Sequence, residues 1–161
     1  MKHLVKQLVV LVALAALAAP VAAAAQAKPE EAIRARQSIM RVIALNFGPL
    51  GKMGSGDVAF NKDVFQANAA RVEALWAMNP GQFFVPGSDK PVTGAKIATF
   101  TDAKPEIWSQ HDKFKAAAER TTQQIAGLAQ AARTGDEKAM RAAAGEVGKS
   151  CKGCHDDFRA K

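Results

Sequence analysis

The chain has 161 residues, of which 48% are hydrophobic and 23% charged, and its formal net charge is +7. The basic residues form no block and do not alternate with aromatic residues, so we expect no nucleic-acid partner. A mild basic excess can steer acidic redox partners towards a protein, although most such charge lies on a solvated face.

Residues 1–25 have the pattern of a secretory signal peptide. Two lysines give a basic start, residues 8–19 form an apolar run, and the alanines at 23–25 fit the small-residue cleavage rule. A run this short disfavours a retained membrane anchor. We therefore expect cleavage near Ala25 and Gln26, export to the periplasm, no membrane association afterwards, and one domain over residues 26–161 with a formal charge of +5.

The first predicted helix begins at Pro29, which suits the first helical position, and ends at Gly48 and Pro49. Spacings of three and four residues place one continuous face on it, formed by Ile33, Arg36, Met40, Ile43 and Phe47. A glycine-rich turn over residues 51–56 is expected to follow.

The second predicted helix covers residues 61–78. Its buried stripe consists of Phe65, Ala69, Val72 and Trp76, with Leu75 beside it. Residues 79–104 are rich in proline and glycine and form a long connection. We expect this connection to cross over the helices, with Phe83 and Phe84 as local anchors.

The third predicted helix opens at Pro105 and continues to Gly135, which is expected to cap its C-terminus. Its inward face is marked by apolar residues, namely Ile107, Phe114, Ala118, Ile125, Leu128 and Ala132. His111 on this helix is either a second metal ligand or a solvated residue, and its polar neighbours favour the solvated position. The fourth helix begins after Asp136, a good N-cap residue. Its stripe repeats at spacings of four and three through Met140, Ala144, Val147, Cys151, Cys154 and Phe158. The pattern predicts four helices and no strand.

The sequence CKGCH at residues 151–155 has the spacing of a c-type haem attachment site. Residues i and i+3 share one face of a helix, so Cys151 and Cys154 can reach both vinyl groups of one porphyrin. His155 then follows as the proximal iron ligand. A zinc site would need a fourth ligand, and a dithiol redox site would need a βαβ setting that is missing here. We therefore predict one haem c, inserted into the helices at the C-terminal stripe.

The chain resembles the class II cytochromes c, and the cytochrome c' family in particular. The resemblance covers residues 28–161 and rests on the C-terminal CKGCH with FR after it, RQS at residues 36–38, NFGP at 46–49 and KPEIW at 104–108. It implies an antiparallel up-down-up-down four-helix bundle. It also implies dimerisation through the first two helices.

The resemblance assigns a role to several side chains near the haem. His155 would be the only protein ligand, leaving a five-coordinate, high-spin iron. Met40 matches the position that covers the vacant face, although low-spin members use a first-helix methionine as sixth ligand. Arg36 matches a residue that reaches a haem propionate, Trp108 an aromatic near the haem edge, and Arg159 a basic residue beside the proximal imidazole.

Three functions are compatible with this assignment. The first is a gas-binding module, because an apolar distal face suits nitric oxide or carbon monoxide better than anions or dioxygen. The second is an electron carrier with Met40 bound to iron. The third, a peroxidase-like enzyme, would need a distal acid-base pair, so we expect a binding protein and no enzyme. We also expect a homodimer, since Ala32, Ala35, Ile39 and Val42 lie off the main stripe of the first helix.

Overall fold

Four long helices pack side by side in the computed structural model, which describes residues 27–94 and 99–161. The predicted signal peptide lies outside the described residues. The elements in chain order are α1 (Pro29–Ser55), α2 (Lys62–Ala77), a 3₁₀ turn (Pro80–Phe83), α3 (Glu106–Ser109), α4 (His111–Thr134) and α5 (Glu137–Phe158). Helix α1 packs against α2 and α5, and α4 packs against the same two helices. This arrangement confirms the predicted all-α four-helix bundle.

The described residues contain no β-strand. Two isolated bridges occur, one between Val92 and Thr99 and one between Ala103 and Arg159. None of the helices within this part of the chain has the length and apolar character that crossing a membrane requires.

The predicted stripes form the core. Phe65 and Val72 on α2, Leu128 on α4 and Met140 on α5 are fully buried. Complete burial of one such side chain stabilises the fold by about 1.5–3 kcal/mol. The periodicity of the sequence therefore located the inner face of each long helix correctly.

Local capping residues fix several helix ends. The side chains of Asn61 and Asp136 accept hydrogen bonds from the amides of Val64 (3.0 Å) and Ala139 (2.6 Å). Gly135 ends α4 in the left-handed region at φ 72°. The predicted caps at Asp136 and Gly135 are confirmed, and α2 begins where the sequence placed it.

The predicted end of the first helix at Gly48 and Pro49 is wrong, because α1 continues to Ser55. A proline inside a helix costs about 3 kcal/mol, since it removes one hydrogen bond and crowds the preceding turn. The cost is offset because Leu50 and Met53 beyond it are buried in the core. Pro49 itself is exposed, and so is Leu45, whose carbonyl the missing amide would have bonded. Water can therefore satisfy that carbonyl.

The third predicted helix is interrupted. Gln110 leaves the helical region at φ −122° and ψ 44°, so a single turn, α3, precedes α4. The segment before α3 is held by the C-terminus, because the amide of Lys104 donates to the carbonyl of Phe158 at 3.0 Å. This tertiary attachment sets the direction of α3, and local sequence could not have revealed it.

The second apolar face expected on the first helix is only partly uncovered. Ala32 is fully buried and Ile39 packs against the core, whereas Val42 is 42% and Leu45 66% exposed. The connection lies against the first turns of α1, where Arg36 donates to a carbonyl of the 3₁₀ turn. The exposed apolar part of α1 therefore lies further along the helix than we expected.

Candidate haem-binding site

A cavity of about 600 Å³ lies between the helices at the C-terminal end of α5. All four bundle helices and the long connection contribute to its wall. Helix α5 contributes Val147, Cys151, Cys154, His155 and Phe158. The side chains opposite them are mostly apolar and include Met40, Ile43, Phe47, Val72, Trp76 and Ile125.

Both cysteines lie on the wall of this cavity and are half-buried, and they are not bonded to each other. Burial, together with the nearby Cys151 and Asp157, raises the pKa of Cys154 to about 11. Burial also raises the pKa of Cys151. Both side chains are therefore neutral thiols near pH 7, one helical turn apart on the same wall.

His155 is exposed at the mouth of the cavity. Partial burial of the ring lowers the pKa of the imidazole, and the positive charge of Arg159 also lowers it. The negative charge of Asp156 opposes both effects. The lowered pKa favours the neutral imidazole, which is the form that binds a metal.

Arg159 also lines the cavity and is held beside His155 from outside α5. Its guanidinium forms an ion pair with Asp102 at 3.2 Å, and the next amide, that of Ala160, donates to the carbonyl of Asp102 at 2.7 Å. The ion pair is exposed on both sides and contributes little to stability by itself. Together with the backbone bond, it fixes where the chain leaves α5.

The two hydroxyls on the α4 side of the cavity already donate hydrogen bonds within their own helix. Thr121 and Thr122 donate to the carbonyls of Ala117 and Ala118, each at 3.0 Å, and Thr122 accepts from the indole of Trp76 at 2.9 Å. Among the described lining residues, His155 is the only histidine.

Arg36 is a buried cation at one edge of the cavity, with only 5% of its surface exposed. Burial lowers the pKa of its guanidinium, and the charge of Asp89 opposes this. No carboxylate in the described part of the chain lies within ion-pair distance of it. A buried charge without an ionic partner is costly, so this site suits an anionic group of a ligand.

These residues fit a c-type haem. Two neutral thiols lie one turn apart, an imidazole follows them, the cavity is largely apolar, and one edge holds a cation that a propionate would neutralise. The zinc alternative lacks a ligand set, because no three His, Cys, Asp or Glu side chains in residues 27–94 and 99–161 are grouped to hold a metal ion.

The two tryptophans and His111 differ in whether they reach the cavity. Trp108 does not line the cavity and instead packs on the cluster of Ile107, Phe114 and Phe158, which Cys154 also contacts. Trp76, which the sequence placed in the core stripe of α2, packs against the core as expected and also lines the cavity. Its apolar spacing indicated burial, but no sequence signal indicated a cavity beside it. His111 is exposed at the start of α4 and does not line the cavity.

Comparison with known proteins identifies relatives over almost the whole described chain. The family model described as Cytochrome C' matches residues 31–159. A cytochrome c' of Rubrivivax gelatinosus is 40% identical over 134 residues, which are 83% of this chain and 98% of the relative.

Solved structures of cytochromes c' share the fold. The crystal structure of the Rubrivivax gelatinosus protein matches with a TM-score of 0.73 at 40% identity, covering 82% of this chain and 97% of that one. A nitric oxide complex of a leucine-to-alanine variant of cytochrome c prime from Alcaligenes xylosoxidans matches with a TM-score of 0.70 at 36% identity, covering 84% and 98%.

Proposed function

The chain belongs to the cytochrome c' family and carries haem c, and from this premise we propose that it is a periplasmic protein that binds nitric oxide and carbon monoxide at a five-coordinate, high-spin iron. One observation carries the proposal: the cavity that Cys151, Cys154 and His155 line is apolar on its opposite wall, around Met40. Neutral diatomic ligands need no polar group there, whereas anions and dioxygen gain from one.

The proximal side is assigned to α5. Cys151 and Cys154 would hold the porphyrin, and His155 would bind its iron. When bound, the haem supplies an iron with one open coordination position. Arg159 lies beside the imidazole and lowers its pKa, so it favours the neutral, ligating form of His155.

The distal side is assigned to α1. Met40 lines the cavity but also packs against the bundle core, as methionines commonly do to fill irregular space. Arg36, one turn earlier, is placed to receive a propionate carboxylate. Trp108 would support the haem edge through Cys154, which packs on the same cluster.

The alternative is an electron carrier in which the Met40 sulfur is the sixth ligand. The position of Met40 on the wall of the cavity that also contains His155 is the observation in its favour. A high-spin protein of this kind could also exchange electrons with an acidic partner, because its overall charge is positive. A peroxidase-like activity would need an acid-base pair on the distal side, where Met40, Ile43 and Phe47 form an apolar wall.

Absorption spectra of the oxidised and reduced protein, with and without carbon monoxide, separate the two functions. We expect a high-spin ferric spectrum, and uptake of carbon monoxide by the ferrous protein without displacement of a strong ligand. A low-spin resting spectrum that becomes high-spin only in Met40→Ala would establish the electron carrier instead.

We further propose that the protein forms a homodimer through α1. Val42 and Leu45 expose apolar surface on this helix, and an uncovered patch of this kind favours association. Leu45→Glu should halve the mass measured by light scattering, and Lys149→Glu on α5 is the control that should leave it unchanged. A wild-type protein that is monomeric at high concentration would exclude the dimer.

Localisation in the periplasm is proposed from the signal-peptide pattern of residues 1–25. N-terminal sequencing of the exported protein should begin at or near Gln26.

A further inference from the structure

Two arms of the long connection form one side of the haem cavity. The first arm, residues 83–88, contributes Phe84 to the wall, and the second arm, residues 99–103, contributes Thr101 and Ala103. Neither arm belongs to a long helix. The arms therefore lack the continuous backbone hydrogen bonds that stabilise each long helix, such as α1 or α5. The C-terminus holds the second arm through the bond from the amide of Ala160 to the carbonyl of Asp102. Both arms are attached to α1, in contrast, by a small number of side-chain contacts.

Most of these contacts converge on one side chain, Arg36. Its Nη1 donates to the carbonyl of Phe83 at 3.0 Å and to the hydroxyl of Ser88 at 3.1 Å. Its Nη2 donates to the carbonyl of Ser88 at 2.9 Å and to the hydroxyl of Thr101 at 2.9 Å. The guanidinium also stacks on the ring of Phe84, with 4.4 Å between its carbon and the ring centroid.

The geometry of arginine is essential to this arrangement. The planar guanidinium offers paired donors at fixed angles, so one side chain can hold both arms at once, which an ammonium group cannot do. In the described part of the chain, the four side-chain hydrogen bonds of Arg36 and its ring contact run to the two arms. We call the boundary between α1 and the second arm the seam. Gln37 adds one hydrogen bond across it, from its side-chain amide nitrogen to the carbonyl of Phe100 at 2.8 Å.

We propose that Arg36 is a positioning residue for ligand entry: its guanidinium joins the two arms to α1 and so closes the seam between α1 and the second arm. Diatomic ligands then reach the cavity at a rate limited by opening of this seam. The inference rests on the proposed gas-binding function and adds to it a residue that controls access without contacting the gas.

The acceptors on the arms allow a test that leaves Arg36 and its charge in place. Ser88 is fully buried and does not line the cavity, so Ser88→Ala removes one acceptor without changing the wall. Thr101→Val removes the other hydroxyl acceptor, together with the bond that it accepts from the amide of Ala103 at 3.1 Å, and keeps the shape of the side chain. Thr101→Ser keeps the acceptor and should restore wild-type behaviour.

The chain also provides a matched control. Thr99 lies on the second arm and is buried, but its hydroxyl has no hydrogen-bond partner. Thr99→Val is therefore the same chemical change as Thr101→Val on the same arm, without loss of a contact to Arg36.

The experiment measures carbon monoxide association with the ferrous holoprotein and amide hydrogen exchange at positions 88 and 99. Loss of one hydrogen bond to a charged donor should raise local exchange by about tenfold. In Ser88→Ala and Thr101→Val the rate of carbon monoxide association should rise together with the local exchange rate, by up to about tenfold. Thr101→Ser and Thr99→Val should behave as the wild type.

An unchanged association rate in Ser88→Ala and Thr101→Val would overturn the inference, and so would an equal increase in Thr99→Val. A wild-type protein that takes up no carbon monoxide would instead refute the gas-binding function. In that case, exchange at positions 88 and 99 would still decide whether Arg36 holds the arms.

Discussion

The two ends of the bundle are built from the same helices but in different ways. At the end where α5 begins, Phe65, Leu128 and Met140 fill the space between the helices, and we call this the closed end. At the end where α5 finishes, the same stripe carries Cys151 and Cys154, and it faces the cavity. One continuous helical pattern therefore serves packing at one end and cofactor binding at the other.

The difference lies in what completes each end. The closed end is completed by helix side chains packed at the density of a protein interior, so its stability belongs to the chain alone. The cavity end needs the haem inside it and the connection around it. Local stability varies along a fold, and functional segments come from its less stable parts. We therefore expect substitutions at the closed end to change stability and substitutions at the cavity end to change ligand binding.

The largest effect is expected from removing the attachment site. Cys151→Ala combined with Cys154→Ala should leave a protein that holds haem poorly or not at all, because both thioether bonds are lost. In acid-acetone the wild-type protein should keep its colour and the variant should lose it. Pigment that is freely extracted from the wild type would contradict covalent attachment.

A large stability effect without a functional one is expected at the closed end. Met140 is fully buried there and does not line the cavity. Met140→Ala should lower the free energy of unfolding by about 2–5 kcal/mol through lost burial and the void it leaves. Denaturant titration gives this value. The visible spectrum and carbon monoxide association should stay unchanged, and a changed spectrum would show that the two ends are coupled.

The matched substitution at the cavity end should have the opposite profile. Met40 is only partly buried and lies on the cavity wall, so Met40→Ala removes less packing and enlarges the distal space. We expect a smaller loss of stability than for Met140→Ala and faster carbon monoxide association in flash photolysis. The resting spin state should not change, and a low-spin to high-spin conversion would identify Met40 as an iron ligand.

The smallest effect is expected at the turn of the closed end. Gly135 has φ 72°, and a Cβ atom there would lie 2.5 Å from Nζ of Lys62. The lysine can move aside, but the left-handed backbone should make Gly135→Ala destabilising by about 1 kcal/mol. Gly127 in the middle of α4 has open space around it, so Gly127→Ala should stabilise by about 0.5–1 kcal/mol. Thermal unfolding measures both changes in stability. A shift of the melting temperature in the same direction for Gly135→Ala and Gly127→Ala would contradict this explanation.

Features that depend on neighbouring residues could be predicted from the sequence. The spacing of apolar residues identified the inner faces of the helices, including the stripe from Met140 to Phe158. Capping chemistry located Asp136 and Gly135. The CKGCH motif is contiguous, so its reading as a haem site needed no tertiary information. These signals determined the fold class and the cofactor.

Other features were decided only when distant segments came together. Local rules would end α1 at Pro49, but burial of Leu50 and Met53 outweighs the cost of an internal proline. The resemblance assigns Arg36 to a propionate, and within the described chain its side chain also donates hydrogen bonds to residues at least 47 positions away in sequence. Trp76, and not Trp108, reaches the cavity wall.

The physical reason is the same in each case. Local preferences are worth about 1 kcal/mol per residue, whereas burial and satisfied hydrogen bonds summed over a packed surface are worth several. The sequence by itself determined which helices form, which faces they bury and where the haem attaches. The tertiary structure alone decided how far α1 extends, what Arg36 binds and which aromatic side chains line the cavity, because those outcomes depend on contacts between residues far apart along the chain.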